Sequence, residues 1–435
     1  MRLIRLLKRD LASEALDWAK DGLISESQAA AICRRYGIDH MTAARSVGYF
    51  VLMGLGYLFI GLAVITLLSA NWDEIPRAVR MLGLVGITVG TNLFGVHKYR
   101  RGEHSTAVGA FFLGSLFYGA SIMLIAQIYH IGEHFPDGIL WWALGVLPAA
   151  LLLDSVLLMI LATVLGFIWF FVETELWFYP TLFPVFIAAL LWQTVLGKQS
   201  NILFLALLTA VGLWAEYTLA WWLAGGRSFA VGTEHLVLGV GLVLAFFGLG
   251  KWLVSRDGHR WRDYGTLLEL WTLRFLLVFL VVMSFEEPWR ELIPYQGSAS
   301  GLMVAIGLVL SVVAIWLVYA SRISLFPVVV FAAFYLLGLA GIMLLGDREY
   351  ALGFQVIANL ALIGTGMWLV VRGIRDGVSH AFYLGVVAIL ATGLLRYIDL
   401  VGDYVGATLL FIVFATILLS AARYWRRQQL REEAA

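Results

Sequence analysis

Three charged side chains lie within long apolar stretches of this 435-residue chain: Glu216, Glu269 and Arg274. In a membrane, an ionisable group at such a place faces a partner or a water-filled cavity, which makes it a functional candidate. The pattern places Arg274 about eight residues, or roughly 12 Å, from the cytoplasmic end of its span, too deep for easy snorkelling. Glu269 lies in the same helix, about 140° away around its axis and near enough to the inner surface to reach water.

Glu216 is predicted to lie deeper, roughly 22 Å from the cytoplasmic side of its own span. The depths of Glu216 and Arg274 then differ by about 10 Å, which two long side chains can bridge. Two interpretations stay open. The charges form a structural ion pair between helices, or they line a path for a substrate or for protons.

A second polar group is predicted to form an outer mouth in the third outer loop: Gln127, His130, Glu133, His134 and Asp137. Three of these residues match the H-x-x-E-H pattern of inverted zinc peptidases. That chemistry requires both histidines on one helical face, a third ligand and an open coordination position. Gly132 and Pro136 disfavour a continuous helix and no third ligand follows, so we expect no metal. A mouth that titrates through histidine and a plain solvated turn both remain open.

Other chemical motifs are missing from the sequence. The chain contains no phosphate-binding loop, no dinucleotide fingerprint and no CxxC pair. Its single cysteine, Cys33, cannot form an intramolecular disulfide. We therefore expect no cofactor and no ATP hydrolysis, and no motif identifies a catalytic residue.

The composition excludes a soluble globular fold. Apolar residues make up 61% of the chain and charged residues 14%, whereas an ordinary soluble domain is about half apolar and a quarter charged. The net charge of +1 provides no field that would attract nucleic acid. The fold class predicted is an all-α, polytopic bundle of transmembrane helices.

Stretches of about 20 apolar residues cross a bilayer, and about fourteen occur here. They lie near 47–69, 78–96, 106–128, 139–153, 155–172, 179–196, 201–224, 233–253, 266–283, 301–319, 323–345, 351–371, 380–395 and 404–422. Lysine and arginine concentrate at both chain ends and in alternate loops, while acidic residues fill the other loops. Short cytoplasmic loops collect basic residues, so both termini are predicted to be cytoplasmic.

The first 46 residues are polar and predict a cytoplasmic amphipathic helical hairpin. Ser25 and Gln28 form a capping box for its second helix. This hairpin either binds a cytoplasmic protein partner or packs on the protein's own membrane domain. The rest divides into eight spans (47–253), a basic cytoplasmic loop (254–265), six spans (266–422) and a cytoplasmic tail (423–435).

Four segments of the chain carry a family resemblance. Three lie in the first third: GLISESQ (Gly22 to Gln28), SANWDEIP (Ser69 to Pro76) and the stretch from Ala120 to Ser155. They resemble bacterial predicted membrane proteins that share domain of unknown function 2157 (DUF2157). The fourth, RYIDLVGDYVG (Arg396 to Gly406), is similar to membrane segments found beside that family. The resemblance implies a polytopic bacterial membrane protein and supplies no activity. We expect the chain in the inner membrane.

Three classes of function remain. The first is a transporter or flippase that moves a small or lipid-linked molecule, and charge within the spans favours it. The second is a scaffold or sensor whose hairpin binds a protein partner. The third is an intramembrane enzyme that uses the outer acidic and histidine residues, which the missing catalytic motif disfavours. Membrane lipids are partners in every class.

We expect site-directed labelling to find both chain ends on the cytoplasmic face, because both ends are rich in basic residues. Labelling of each end from each side of the membrane measures this. Ends on opposite faces would require an odd number of spans and would overturn the depths assigned to the buried charges.

Overall fold

The computed structural model describes residues 8–36, 56–57, 59–60, 76–129, 134–230, 232–292, 300–344, 348–375 and 378–399, and every regular element in them is helical. The α-helices are α1 (Lys8–Lys20), α2 (Glu26–Arg35), α3 (Arg77–Arg100), α4 (His104–Tyr129), α5 (Pro136–Leu152), α6 (Val156–Glu175), α7 (Phe183–Leu196), α8 (Asn201–Leu223), α9 (Thr233–Ser255), α10 (His259–Val282), α11 (Glu286–Leu292), α12 (Ser300–Ala320), α13 (Phe326–Leu344), α14 (Ala351–Arg375) and α15 (Ser379–Asp399). A short 3-10 turn, Arg348–Tyr350, precedes α14. The predicted all-helical fold class is therefore observed throughout these ranges.

Nine helices of the described residues are long and apolar enough to cross a membrane: α3, α4, α6, α8, α9, α10, α12, α13 and α14. Three shorter apolar helices, α5, α7 and the His380–Arg396 part of α15, coincide with three further predicted spans. Of the first predicted span, 47–69, the structure describes only residues 56–57 and 59–60, which are helical, and the last, 404–422, lies outside the described residues. The total of about fourteen spans therefore stays a prediction.

The chain divides into two compact units. Unit 1 comprises Met1–His40 and Val231–Ala435, and unit 2 comprises Met41–Ala230. We predicted a basic loop over 254–265 between two groups of spans, but α9 continues to Ser255 and α10 begins at His259. The polar residues at the start of α10 continue the helix beyond its apolar part, which hydropathy alone does not detect. Both helices belong to unit 1.

In unit 2, α4 and α5 pack by placing aromatic rings on glycines. The ring of Trp142 in α5 lies against Gly119 in α4, and the ring of Tyr118 in α4 lies against Gly145 in α5. The indole Nε1 of Trp142 also donates a hydrogen bond to the carbonyl oxygen of Ser115 at 2.8 Å. Small residues allow this close approach, which matters because packing drives helix association in lipid.

The turn between α5 and α6 is short and fixed by hydrogen bonds. Asp154 adopts a left-handed conformation with φ of 46°, and the Ser155 hydroxyl caps α6 by accepting from the backbone N–H of Leu158. One carboxylate oxygen of Asp154 accepts a hydrogen bond from the side-chain amide of Gln193 in α7 and another, at 2.8 Å, from the backbone N–H of Lys198. These bonds connect the α5–α6 turn to the end of α7.

In unit 1, α9 approaches two neighbouring helices through glycines. A Cβ atom on Gly248 would lie 2.8 Å from the carbonyl oxygen of Ala314 in α12, and one on Gly265 in α10 would lie 2.6 Å from that of Gly250. Backbone therefore meets backbone at both contacts. Because Gly248 and Ala314 both lie near the C-terminal ends of their helices, α9 and α12 end on the same side of unit 1.

The capping box predicted for the second N-terminal helix is present. The Ser25 hydroxyl accepts the backbone N–H of Gln28 at 3.2 Å, and the Gln28 side-chain oxygen accepts the backbone N–H of Ser25 at 2.8 Å. Ala29 and Cys33 in α2 are buried, as is Ala15 in α1. Whether α1 and α2 form a cytoplasmic hairpin stays a prediction.

We expect the substitution Gly265→Ala to destabilise unit 1 by about 1–3 kcal/mol, because an added methyl group in a packed helix contact forces the backbones apart. Gly364→Ala in α14 is the matched control, since a Cβ atom there meets nothing within 4 Å. The thermal unfolding midpoints of the purified variants in detergent measure the difference. Equal midpoints for the two variants would contradict the close contact of α9 and α10.

Candidate ligand-binding cleft

A buried carboxylate in unit 1 lies between two cations. Oε2 of Glu269 is 3.1 Å from Nζ of Lys251 and 3.5 Å from Nη2 of Arg372. The side chains of these three residues are 7%, 13% and 16% exposed, respectively. A buried ionised group loses its hydration, so it is stable only with such partners. We predicted from the sequence that Glu269 reaches water; it is instead buried and contacts two cations.

Each of the three residues comes from a different helix. Lys251 lies near the end of α9 and Arg372 near the end of α14, while Glu269 faces both from α10. Gly250 has no side chain, so α10 can approach α9 at this level; a Cβ atom on Gly250 would lie 3.2 Å from the backbone nitrogen of Glu269. The close helix contact is therefore what brings Lys251 within reach of the carboxylate.

Both cations also contact an aromatic ring one turn earlier in their own helices. Nζ of Lys251 lies 5.4 Å from the centre of the Phe247 ring, and the guanidinium of Arg372 lies 5.3 Å from that of Trp368. At these distances the rings attract the cations. The aromatic contacts and the shared carboxylate together hold both cationic side chains in place.

Glu269 and Arg372 line a small cleft, which has about 30 Å³ of space for the centres of water molecules. Residues of α10, α14 and α15 and the residue before α15 complete its wall: Thr266, Leu270, Leu273, Leu369, Val378, His380, Ala381 and Leu384. On one side of unit 1, the helices α9, α12 and α14 end and the helices α10, α13 and α15 begin. We call this side the basic end. The cleft lies at this end and combines charged with apolar wall residues, as ligand-binding sites commonly do.

Arg274 lies on the surface of unit 1, beside the cleft. It follows the wall residue Leu270 by one helical turn, so both lie on the same face of α10. Its side chain is exposed on unit 1, and its guanidinium lies 5.5 Å from the centre of the Trp271 ring. Arg274 is roughly 22 Å along the helix from the start of α10. It therefore lies farther along α10 than Glu269, on the face of Leu270 rather than on that of Glu269.

Glu216 lies in α8, roughly 22 Å from the start of that helix. Its side chain is half-buried, and it belongs to unit 2. An ion pair between Glu216 and Arg274 would join residues of different units and stays a prediction.

The structure describes three of the five residues of the predicted outer mouth: Gln127, His134 and Asp137. His130 and Glu133 lie outside the described residues. Gln127 and Asp137 are exposed, at the end of α4 and the start of α5. Across the described ranges, no three or more histidine, cysteine, aspartate or glutamate side chains are grouped so that they could hold a metal ion.

His134 has a partner that the sequence did not indicate. Its Nε2 lies 2.8 Å from Oε2 of Glu173 in the last turn of α6, and its ring packs edge-on against Phe178 at 4.6 Å. The two residues are separated by 39 positions, and no periodicity connects them. The contact links the segment before α5 to the end of α6.

The sequence pattern alone does not indicate Lys251, Arg372 or His380 as site residues. The two cations contribute to the basic character of the cytoplasmic loops, so they were interpreted only as markers of orientation. One available signal was the aromatic residue four positions before each cation, Phe247 and Trp368. That spacing places ring and cation on one helical face.

Comparison with protein-family models tests the resemblance of the N-terminal segments. Residues 16–159 match the family described as predicted membrane protein (DUF2157). The DUF2157 match confirms the resemblance over the first third of the chain. It runs from α1 into α6, so the cleft lies outside it. Comparisons with curated proteins and with solved structures find no match.

We expect Glu269→Gln to lower the free energy of unfolding by about 3–5 kcal/mol, because it leaves two buried cations without their carboxylate. The matched control is Glu103→Gln, which removes an exposed carboxylate that accepts a hydrogen bond from Lys98 at 2.8 Å. That hydrogen bond holds the pKa of Glu103 below its usual range. Because the residue is exposed, we expect Glu103→Gln to change the free energy of unfolding little. The unfolding midpoints of the two variants in detergent measure the difference. If Glu269→Gln shifted the midpoint as little as Glu103→Gln does, the two cations would not depend on Glu269.

Proposed function

We propose that this membrane protein is a transporter or flippase, and that the cleft of unit 1 forms part of the path for a small or lipid-linked molecule. The observation that supports the proposal is the buried carboxylate of Glu269, paired with two cations at the wall of an open cleft. An intramembrane enzyme finds no comparable support in the described residues.

A purely structural role does not explain this arrangement well. Replacing a buried ion pair by apolar residues of similar volume is often neutral or stabilising, so such a pair is a weak source of stability. In membrane spans, ionisable residues commonly mark paths for substrates, ions or protons. The cleft beside Glu269 gives a ligand access to the charges, which a packed structural ion pair would not need.

A second charge, Arg274, lies beside the cleft and farther along α10, on the same helical face as the wall residue Leu270. Glu269 and Arg274 are about 8 Å apart along the helix axis. Leu270 and Leu273 line the cleft between them. A solute that passes Leu270 in the cleft would therefore meet Arg274 one helical turn farther along the same helix.

We further propose that the basic end of unit 1 faces the cytoplasm of a bacterial cell, with the chain in the inner membrane and both termini cytoplasmic. Cytoplasmic ends of spans collect lysine and arginine. Among the described residues, this end has seven basic side chains, Lys251, Arg256, Arg260, Arg262, Arg322, Arg372 and Arg375, and three acidic ones, Asp257, Asp263 and Glu269.

The alternative function is a scaffold or sensor whose N-terminal helices bind a protein partner. Its support comes from two apolar side chains near the end of α1, Trp18 and Leu23, which are 36% and 73% exposed. Exposed apolar groups on polar helices are typical of interaction surfaces. In this alternative, the spans serve as a platform and no solute crosses through unit 1.

The transport proposal predicts that Arg274→Leu slows translocation about tenfold, as expected when one charge that contacts the moving solute is lost. The assay follows a fluorescent phosphatidylglycerol in vesicles that contain the purified protein, with dithionite quenching the outer leaflet. Gln355→Leu in α14 is the control, because Gln355 is buried and does not line the cleft. Equal rates for Arg274→Leu and the unmodified protein would contradict transport and leave the scaffold alternative.

A further inference from the structure

We propose that the cleft at the basic end of unit 1 binds an anionic phospholipid, with the headgroup phosphate at Arg372 and His380 and an acyl chain along the leucines. This inference deepens the proposed function, since it names the ligand class of the same cleft. The inference concerns equilibrium binding of a lipid, whereas the proposed function concerns movement across the membrane. Either one can therefore fail while the other is confirmed.

The charges around the cleft favour an anion. Near the polar part of the cleft, α9, α10 and α14 carry three basic residues, Lys251, Arg372 and Arg375, and two acidic residues, Asp263 and Glu269. α15 contributes His380 to the wall. The balance is positive even with neutral histidine, and the surrounding loops of the basic end add further arginines. Basic pockets between helices on the cytoplasmic side of a membrane typically bind anionic lipid headgroups.

The wall of the cleft changes from polar to apolar in the same direction on all three helices. On α10, Glu269 comes closer to the basic end than Leu273. On α14, Arg372 comes closer to that end than Leu369, and on α15 His380 comes closer than Leu384. A ligand that fits this wall has an anionic group at one end and a hydrocarbon chain at the other, as a phospholipid does.

The depth of the polar part agrees with the position of lipid headgroups. Arg372 is about 5 Å from the end of α14, and Lys251 is about 6 Å from the end of α9, at 1.5 Å per residue. Both residues thus lie within roughly one helical turn of the helix ends, where a span enters the headgroup region. Trp368, which contacts Arg372, has the preference of indole rings for this interface.

Free phosphate fits the cleft less well than a lipid does. An inorganic anion would occupy only the polar part of the cleft, whereas an acyl chain would also cover the partly exposed side chain of Leu384. Covering apolar surface adds to the affinity. The leucine side of the cleft therefore favours the lipid as the source of the phosphate.

Native mass spectrometry of the full-length protein in a neutral detergent tests the inference by titration with phosphatidylglycerol or phosphatidylcholine. We expect the protein to retain phosphatidylglycerol preferentially. Arg372→Gln is expected to weaken that binding about fivefold, which is the value of one basic side chain near a membrane surface. The matched control is Arg322→Gln, which removes the same charge from the same end at an exposed position outside the cleft and should change affinity less than about twofold.

A second variant keeps the inference testable if Arg372→Gln does not fold. His380→Glu adds a negative charge to the cleft wall at the first turn of α15, where a carboxylate is compatible with the helix dipole. It changes none of the residues Lys251, Glu269 and Arg372 and is expected to weaken phosphatidylglycerol binding by repulsion.

Three results would overturn the inference. The first is equal retention of both lipids, and the second is unchanged phosphatidylglycerol binding in both cleft variants. The third is binding that millimolar inorganic phosphate displaces completely, which would identify a site for the free anion. Phosphatidylglycerol selectivity without translocation in vesicles would confirm the site and contradict the proposed transport.

Discussion

A carboxylate can be buried among apolar helices only where cations replace the water it has lost, and in unit 1 this requirement joins three helices. Glu269 on α10 meets Lys251 on α9 and Arg372 on α14, so the three helices must align along their axes at that level. A shift by one residue along an axis moves a side chain by about 1.5 Å and would break contacts of this length. The position of the cleft follows from this alignment.

The charge contacts and the helix contacts depend on each other. In lipid no hydrophobic effect pushes helices together, so packing and polar contacts must hold them. Gly250 and Gly265 let the backbones of α9 and α10 meet, and Lys251 is the residue next to the first of these glycines. A larger residue at Gly265 would therefore both strain the helix contact and lengthen the distance between Lys251 and Glu269.

The apolar spans could be predicted from the sequence because their signal is local. Twelve of the predicted spans coincide with described helices, since a run of apolar residues fixes its own length and position. The cleft could not be predicted, because Glu269 and Arg372 are 103 positions apart and one sequence contains no information on which distant residues meet. Arg274 was also difficult to place: a helix that is apolar on most sides does not indicate which side contacts its neighbours.

The partners of these polar groups differ between the two units. In unit 2, Asp154 lies in a turn, and His134 contacts Glu173 in the last turn of α6, so these groups are near helix ends, where water and backbone N–H groups satisfy them at small cost. In unit 1, Glu269 is buried between three helices and needs two cations. The family match ends within α6, so the DUF2157 segment does not include this buried charge. Glu269, whose burial costs free energy and is not explained by stability alone, therefore lies outside the part of the chain that matches the family.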